Sequence, residues 1–130
     1  IDEFWPGYLS LVVKKRKDTR GSYIIPDFVT SQKDSVLLMC MDKAAEALAL
    51  AADFPIAVSS GNRSGDTPIT DPIEGVKEFK GLVDLFLIGG KSSIGVNTTI
   101  LDITSDPPKI LRKGPVLCEQ IRQFIGGVIC

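Results

Sequence analysis

The sequence predicts a mixed α/β fold, and three observations predict it. Apolar runs of strand length recur at residues 8–13, 35–41, 54–59, 82–88 and 98–103. Two helix signals lie among them, each opened by an aspartate: Asp42 before an alanine-rich stretch, and Asp71 before Pro72. The last of these runs, 98–103, and a short one at 109–111 flank Ser105-Asp106-Pro107-Pro108, whose turn chemistry favours a hairpin and so breaks a purely parallel order.

Taken in order, residues 8–13 alternate and read as a strand that runs into the basic turn at 14–21. Residues 23–26 are extended, and 35–41 form a second strand whose nearly continuous apolar character predicts burial on both faces. Asp42 caps a helix over 43–52, whose small side chains suit packing on a sheet. A third strand is expected at 54–59. A polar turn follows, and then a helix over 72–80, in which Asp71, Pro72 and Glu74 supply the cap, first-position and capping-box residues. Residues 82–88 read as a fourth strand and 89–95 as a loop rich in glycine and serine. After the hairpin, Gly114-Pro115 breaks the chain and an amphipathic helix over 117–125 closes it.

At 130 residues the chain holds one hydrophobic core, so the expectation is a single domain over 1–130. Apolar residues make up 44% and charged residues 24%, ordinary values for a globular protein. No run reaches membrane-spanning length and no secretory leader opens the chain, which gives a cytoplasmic expectation with no membrane partner. The net charge of −1 provides no global field for nucleic acid, so any basic surface is local. Histidine is absent, and Cys40, Cys118 and Cys130 are widely spaced. A structural zinc site and every Ser-His or Cys-His nucleophile pair are disfavoured.

The chemistry-bearing candidates are three polar clusters at predicted strand ends: residues 59–65, residues 89–95 with Asn97-Thr98-Thr99, and Arg112-Lys113-Gly114. Hydroxyls and glycine amides suit phosphate or carboxylate, and Arg112 adds a planar, permanently charged fork. Gly61 and Gly65 let backbone approach a ligand closely. Gly89-Gly90-Lys91-Ser92 is no P-loop, because the leading glycine of that spacing would fall on Leu85. The run Lys14, Lys15, Arg16, Lys17 is the candidate RNA contact, although no aromatic residues are interleaved with it. Cys40 reads as a small core residue, and the scattered aspartates define no acid–base pair, so no catalytic residue is assigned.

Four ordered segments carry a family resemblance. Trp5-Pro6-Gly7-Tyr8-Leu9-Ser10-Leu11 resembles W-P-G-P-L-T-L, and Pro55-Ile56-Ala57-Val58-Ser59-Ser60-Gly61-Asn62-Arg63-Ser64-Gly65 resembles P-[IL]-A-x-[PS]-S-A-N-x-S-G. Gly95-Val96-Asn97-Thr98-Thr99-Ile100-Leu101-Asp102 resembles G-x-E-S-T-V-[VI]-D, and Pro107-Pro108-Lys109-Ile110-Leu111-Arg112-Lys113-Gly114 resembles P-P-x-[IL]-L-R-x-G. These blocks are similar to those of the YrdC/Sua5 family, the threonylcarbamoyl-AMP synthases.

The resemblance implies a twisted mixed sheet with flanking helices and a positively charged concave face. It also implies conversion of ATP, L-threonine and bicarbonate to threonylcarbamoyl-adenylate, with release of pyrophosphate, for modification of tRNA adenosine 37. Mg2+ would accompany the ATP, with no metal held by the protein. By the same resemblance Ser35, Ser60, Asn62, Ser64 and Arg112 fall on the nucleotide side and Thr98 near the amino acid. The alternative is a non-catalytic YrdC-like module that binds nucleotide or RNA.

Departures from the pattern are as specific as the matches. The family strand ends in R-x-P-x-H, whose arginine pairs with the threonine carboxylate, whereas this chain has Met39-Cys40-Met41-Asp42-Lys43. Asn97 stands for the E of E-S-T, and Val58 and Pro68 replace residues that contact substrate. Blocks of the form P-T-[ED]-T-x-Y-G-L and K-x-R precede W-P-G in the family and do not occur in these 130 residues. The expectation is therefore either a C-terminal portion of a longer protein or a reduced relative that has lost the reaction.

Overall fold

A computed structural model describes residues 1–63, 65–92 and 97–130. The chain packs as two compact units, Ile1–Ile56 with Asn97–Cys130, and Ala57–Val96.

The first unit is built on a four-stranded mixed sheet in the order β2-β1-β3-β4. Strand β1 (Leu9–Lys14) pairs antiparallel with β2 (Ser35–Met39) and parallel with β3 (Thr99–Asp102), and β3 pairs antiparallel with β4 (Lys109–Arg112). The mixed order follows from the connections. A hairpin makes β3 and β4 antiparallel, whereas β1 and β3, with 84 residues between them, have ample chain for a parallel crossover.

Alternation along the strands divides the sheet into two faces. Leu9, Leu11, Leu101 and Ile110 point to one side and form the core with Ile121 and Val128. Phe4, Trp5, Val13, Val116 and Cys118 pack around them. Helix α3 (Cys118–Arg122) buries Ile121 here, and Arg122 donates to the Val128 carbonyl at 2.9 Å. The tail is tied back by Ile110 N to Ile129 O and Ile129 N to Pro108 O, and Cys118 is disulfide-bonded to Cys130. Phe4 meets Phe124 edge-to-face with ring centroids 5.3 Å apart, beside an apolar cleft of about 190 Å3. Cys40 is a free thiol just past β2, half-buried and outside the core.

Two expectations about burial fail in this unit. Strand β2 is an edge strand, with Leu37 44% and Leu38 39% exposed, so its apolar run does not signal burial on both faces. Helix α1 (Lys43–Ala51) forms where expected, because Asp42 accepts from Ala45 N at 2.8 Å and alanine and leucine favour the helix, yet it buries none of its residues.

The second unit contains α2 (Pro72–Phe79), with Asp71 as N-cap accepting from Ile73 N at 2.9 Å. The strands expected at 54–59 and 82–88 are absent. The first is irregular throughout, and the second has only an isolated bridge between Lys80 and Val83. An extended apolar segment becomes a strand only when a neighbour offers a ladder of donors and acceptors. Neither segment has such a neighbour among the described residues, and Leu85 and Leu87 are 82% and 70% exposed.

Candidate functional site

The non-core face of the sheet carries the polar cluster. Ser10, Met39 and Ile100 lie at one level of it, since Ser10 is the Cα partner of both Met39 and Ile100. Thr98, just before β3, shares that parity, and its hydroxyl lies 2.6 Å from Ser10 Oγ. Both side chains are inaccessible, with Ser10 at 0% and Thr98 at 3% exposure.

Arg112 reaches this pair because of a bulge. Asp102 pairs with Lys109 and Leu101 with Ile110, so a regular ladder would set Leu111 opposite Ile100 and turn Arg112 to the core face with Thr99. The register shift between Ile100 and Leu101 instead sets Arg112 opposite Ile100. One inserted residue thus moves the guanidinium to the Ser10 face. Arg112 then donates from Nε to Thr98 O at 2.9 Å and from Nη2 to Thr98 Oγ1 at 3.0 Å.

Gly114 closes the floor of the cluster. A Cβ there would lie 2.7 Å from Asn97 O and from Thr98 C, and would also meet Thr99 N. Thr99 completes the anchorage, its hydroxyl donating to Val116 O at 2.8 Å and accepting from Val116 N at 3.1 Å. The result is a fixed guanidinium beside two buried hydroxyls, an arrangement suited to an oxyanion.

Ser35 shares the face and stands apart from the cluster. It pairs with Lys14, four positions along β1 from Ser10, which is roughly 13 Å at strand spacing. Thr98 and Arg112 are therefore brought together, and Ser35 lies at the opposite end of β2.

Ser60 and Asn62 belong to the second unit. Ser60 is exposed, and its carbonyl accepts from Asn62 N at 2.9 Å. Asn62 donates its amide protons to Arg63 O and Asp66 O, stapling the turn that Gly65 completes at φ +92°. Asn62 Oδ1 is buried and has no partner among the described residues. Ser64, and Ser93 to Gly95 of the loop at 89–95 together with Val96, lie outside the described residues.

The start of α2 is already served by its own side chains. Asp71 takes the Ile73 N–H and pairs with Lys91 at 3.2 Å, and these contacts, the backbone one foremost, hold its carboxyl below the usual carboxylate range. Because the folded-state value is the depressed one, the cap contributes fully above the unfolded carboxylate pKa and is lost as pH falls through the folded one. Amide protection factors at residues 73–76, taken relative to intrinsic exchange at each pH, are accordingly expected to fall below about pH 4, and this acid-dependent fall is expected to vanish in Asp71→Asn. Equal acid sensitivity in both proteins would rule out Asp71 as the titrating cap.

The basic run is not one surface. Lys15 turns inward, bonding Asp27 Oδ1 at 2.6 Å and Thr30 Oγ1 at 3.0 Å, with its ammonium 4.1 Å from the Tyr23 ring centroid. It anchors the 15–30 segment and is removed from the set expected to contact RNA, whereas Lys14, Arg16 and Lys17 stay exposed. Among the described residues no group of three His, Cys, Asp or Glu is placed to hold a metal, and no helix is long and apolar enough to cross a membrane.

Sequence reasoning missed Ser10, the close approach of residues 97–99 to Gly114, and the Arg112 bulge. Ser10 left one signal, a hydroxyl between Leu9 and Leu11 that alternation assigns to the non-core face. The bulge left none.

Comparison with known proteins agrees with this architecture. The profile of the Sua5/YciO/YrdC family, described as telomere recombination, matches residues 1–114. A threonylcarbamoyl-AMP synthase from Pyrococcus abyssi is 34% identical over 126 residues, covering 96% of this chain and 35% of the relative. The crystal structure of P. abyssi Sua5 complexed with L-threonine superposes with a TM-score of 0.81 at 32% identity, over 98% of this chain and 36% of that one. Escherichia coli YciO shares the fold at a TM-score of 0.68 and 24% identity, over 88% of this chain and 54% of that one. The chain thus spans between about a third and about half the length of these proteins. With the profile covering nearly all of its length and the same sheet in a relative that shares a third of its residues, this chain belongs to the Sua5/YciO/YrdC family.

Proposed function

We propose that the protein carrying this chain is a threonylcarbamoyl-AMP synthase, which uses ATP, L-threonine and bicarbonate to form threonylcarbamoyl-adenylate for tRNA modification in the cytoplasm. The observation that carries the reading is the clamp of Arg112 on the buried Thr98 hydroxyl. The threonine complex of the P. abyssi relative supports it from outside.

The chemistry balances without a histidine. Bicarbonate breaks one C–O bond to give CO2 and hydroxide, the threonine nitrogen forms a C–N bond to the CO2 carbon, and the proton it loses joins the hydroxide as water, leaving a carbamate. A carbamate oxygen then attacks the α-phosphorus, and the bond to the β-phosphate oxygen breaks with its electron pair, releasing pyrophosphate. Such a step needs two anions held together and their charge offset, which positioning and fixed cationic donors supply. In this reading Arg112 neutralises charge on the nucleotide side and Thr98 orients the amino acid. Ser60, Asn62 and Ser64 supply the nucleotide loop, and Ser35 a further polar contact. Mg2+ enters with ATP as part of the substrate.

Full-length protein supplied with ATP, L-threonine, bicarbonate and Mg2+ is expected to release pyrophosphate, and to stop when threonine is omitted. No release, or release indifferent to threonine, overturns the reading. Contact with tRNA is assigned to Lys14, Arg16 and Lys17. In a second arm, neutralising these three is expected to flatten the dependence of log K on log salt by up to about three phosphate contacts. An unchanged slope removes that surface from the proposal.

A further inference from the structure

The hydroxyls of Ser10, in β1, and Thr98, just before β3, lie 88 residues apart in sequence and bond each other in a spot with almost no exposed surface. Its hydrogen bookkeeping is informative. Thr98 Oγ1 accepts one bond from Arg112 Nη2, and the two hydroxyls share one bond of 2.6 Å. Two hydroxyls own two protons and the shared bond uses one, so one O–H has no acceptor among the described residues. Ser10 has no other described side-chain partner, and with Arg112 Nη2 it is one of the two groups bonded to Thr98 Oγ1.

We propose that Ser10 is a positioning residue: it holds the Thr98 hydroxyl, and through it the Nη2 side of Arg112, in the geometry that receives substrate. This deepens the synthase reading and rests on it. The volume of the pair supports the assignment. The segments that match W-P-G-P-L-T-L and G-x-E-S-T carry threonine and serine at these two places, whereas this chain carries Ser10 and Thr98. One methyl group has changed sides across a single hydrogen bond, and a volume-conserving exchange of that kind is what a tightly packed contact tolerates.

A double-mutant cycle in the full-length protein tests it, with threonine binding, steady-state kinetics and melting temperature as readouts. Ser10→Ala is expected to raise KM for threonine about five- to tenfold while leaving kcat within about twofold, the effect of one hydrogen bond lost from binding. Ser10→Thr alone is expected to lower the melting temperature by overpacking a closed site, and Thr98→Ser alone by leaving a void. Ser10→Thr combined with Thr98→Ser is expected to return both melting temperature and KM to the parent values. An unchanged KM in Ser10→Ala, or additive effects in the cycle, overturns the proposal. If the unsubstituted protein neither releases pyrophosphate nor binds threonine, the synthase reading fails, and the melting-temperature cycle alone decides whether the pair is coupled.

Discussion

Replacing Met39 by arginine is expected to tighten L-threonine binding by about ten- to a hundredfold in the full-length protein. Met39 is the Cα partner of Ser10 across β1 and β2 and lies on the same face as Thr98 and Arg112. A guanidinium extended from that position enters the polar cluster, where a hydrogen bond to a carboxylate contributes about 1.5–3 kcal/mol, or roughly one to two decades of affinity. The resemblance places an arginine there, and Lys43, the cation nearest Met39 in sequence, is engaged elsewhere. Its ammonium bonds Glu46 at 2.8 Å on the exposed face of α1. Calorimetric titration with threonine measures the gain. A Met39→Arg protein that folds and binds threonine no better would show that the Ser10 end of the sheet does not receive the carboxylate.

The second large effect is expected at Gly114, in the opposite direction. A methyl group there falls within 2.7 Å of the Asn97 carbonyl oxygen and the Thr98 carbonyl carbon, and both obstacles are backbone. Flexible side chains yield to such an intrusion, but a strand held by its ladder does not. The segment before β3 must therefore shift, carrying Thr98 away from Ser10 and from Arg112. Gly114→Ala is expected to destabilise the fold by about 1–3 kcal/mol, the usual range for forced overpacking, and to abolish threonine-dependent pyrophosphate release. Denaturant unfolding and the release assay read the two effects separately. Wild-type behaviour in both would mean that the close approach of residues 97–99 to Gly114 is not required.

The local signals in the sequence were faithful where the physics is local. Asp42 and Asp71 cap the helices they were expected to cap, because a carboxylate two or three residues ahead of an orphan N–H finds it regardless of the rest of the chain. The hairpin formed by β3 and β4 follows equally from its proline-containing turn. Apolar runs were less informative. Residues 35–41 and 82–88 are both apolar at all but one position, yet one gave a strand and the other did not, because a ladder needs a partner and the partner is a tertiary fact.

The site shows the same division. Thr98 and Arg112 were legible as hydroxyl and guanidinium, and matched motif positions identified them. Their convergence depends on the extra residue in β4, which reverses the side to which Arg112 points. The same distinction splits the basic run: four consecutive cations look alike in sequence, and only the fold turns Lys15 onto Asp27 and the Tyr23 ring.

What this polypeptide determined by itself is its family, its mixed α/β class and the chemistry of its polar groups, since these follow from residue order and short-range hydrogen bonding. What only the tertiary structure decided is which groups meet: Ser10 with Thr98, Arg112 with Thr98, and Ser35 with none of them. The physical reason is that a strand has a period of two, so one bulge or one register step changes the face a side chain serves, and no local preference in the sequence encodes that step.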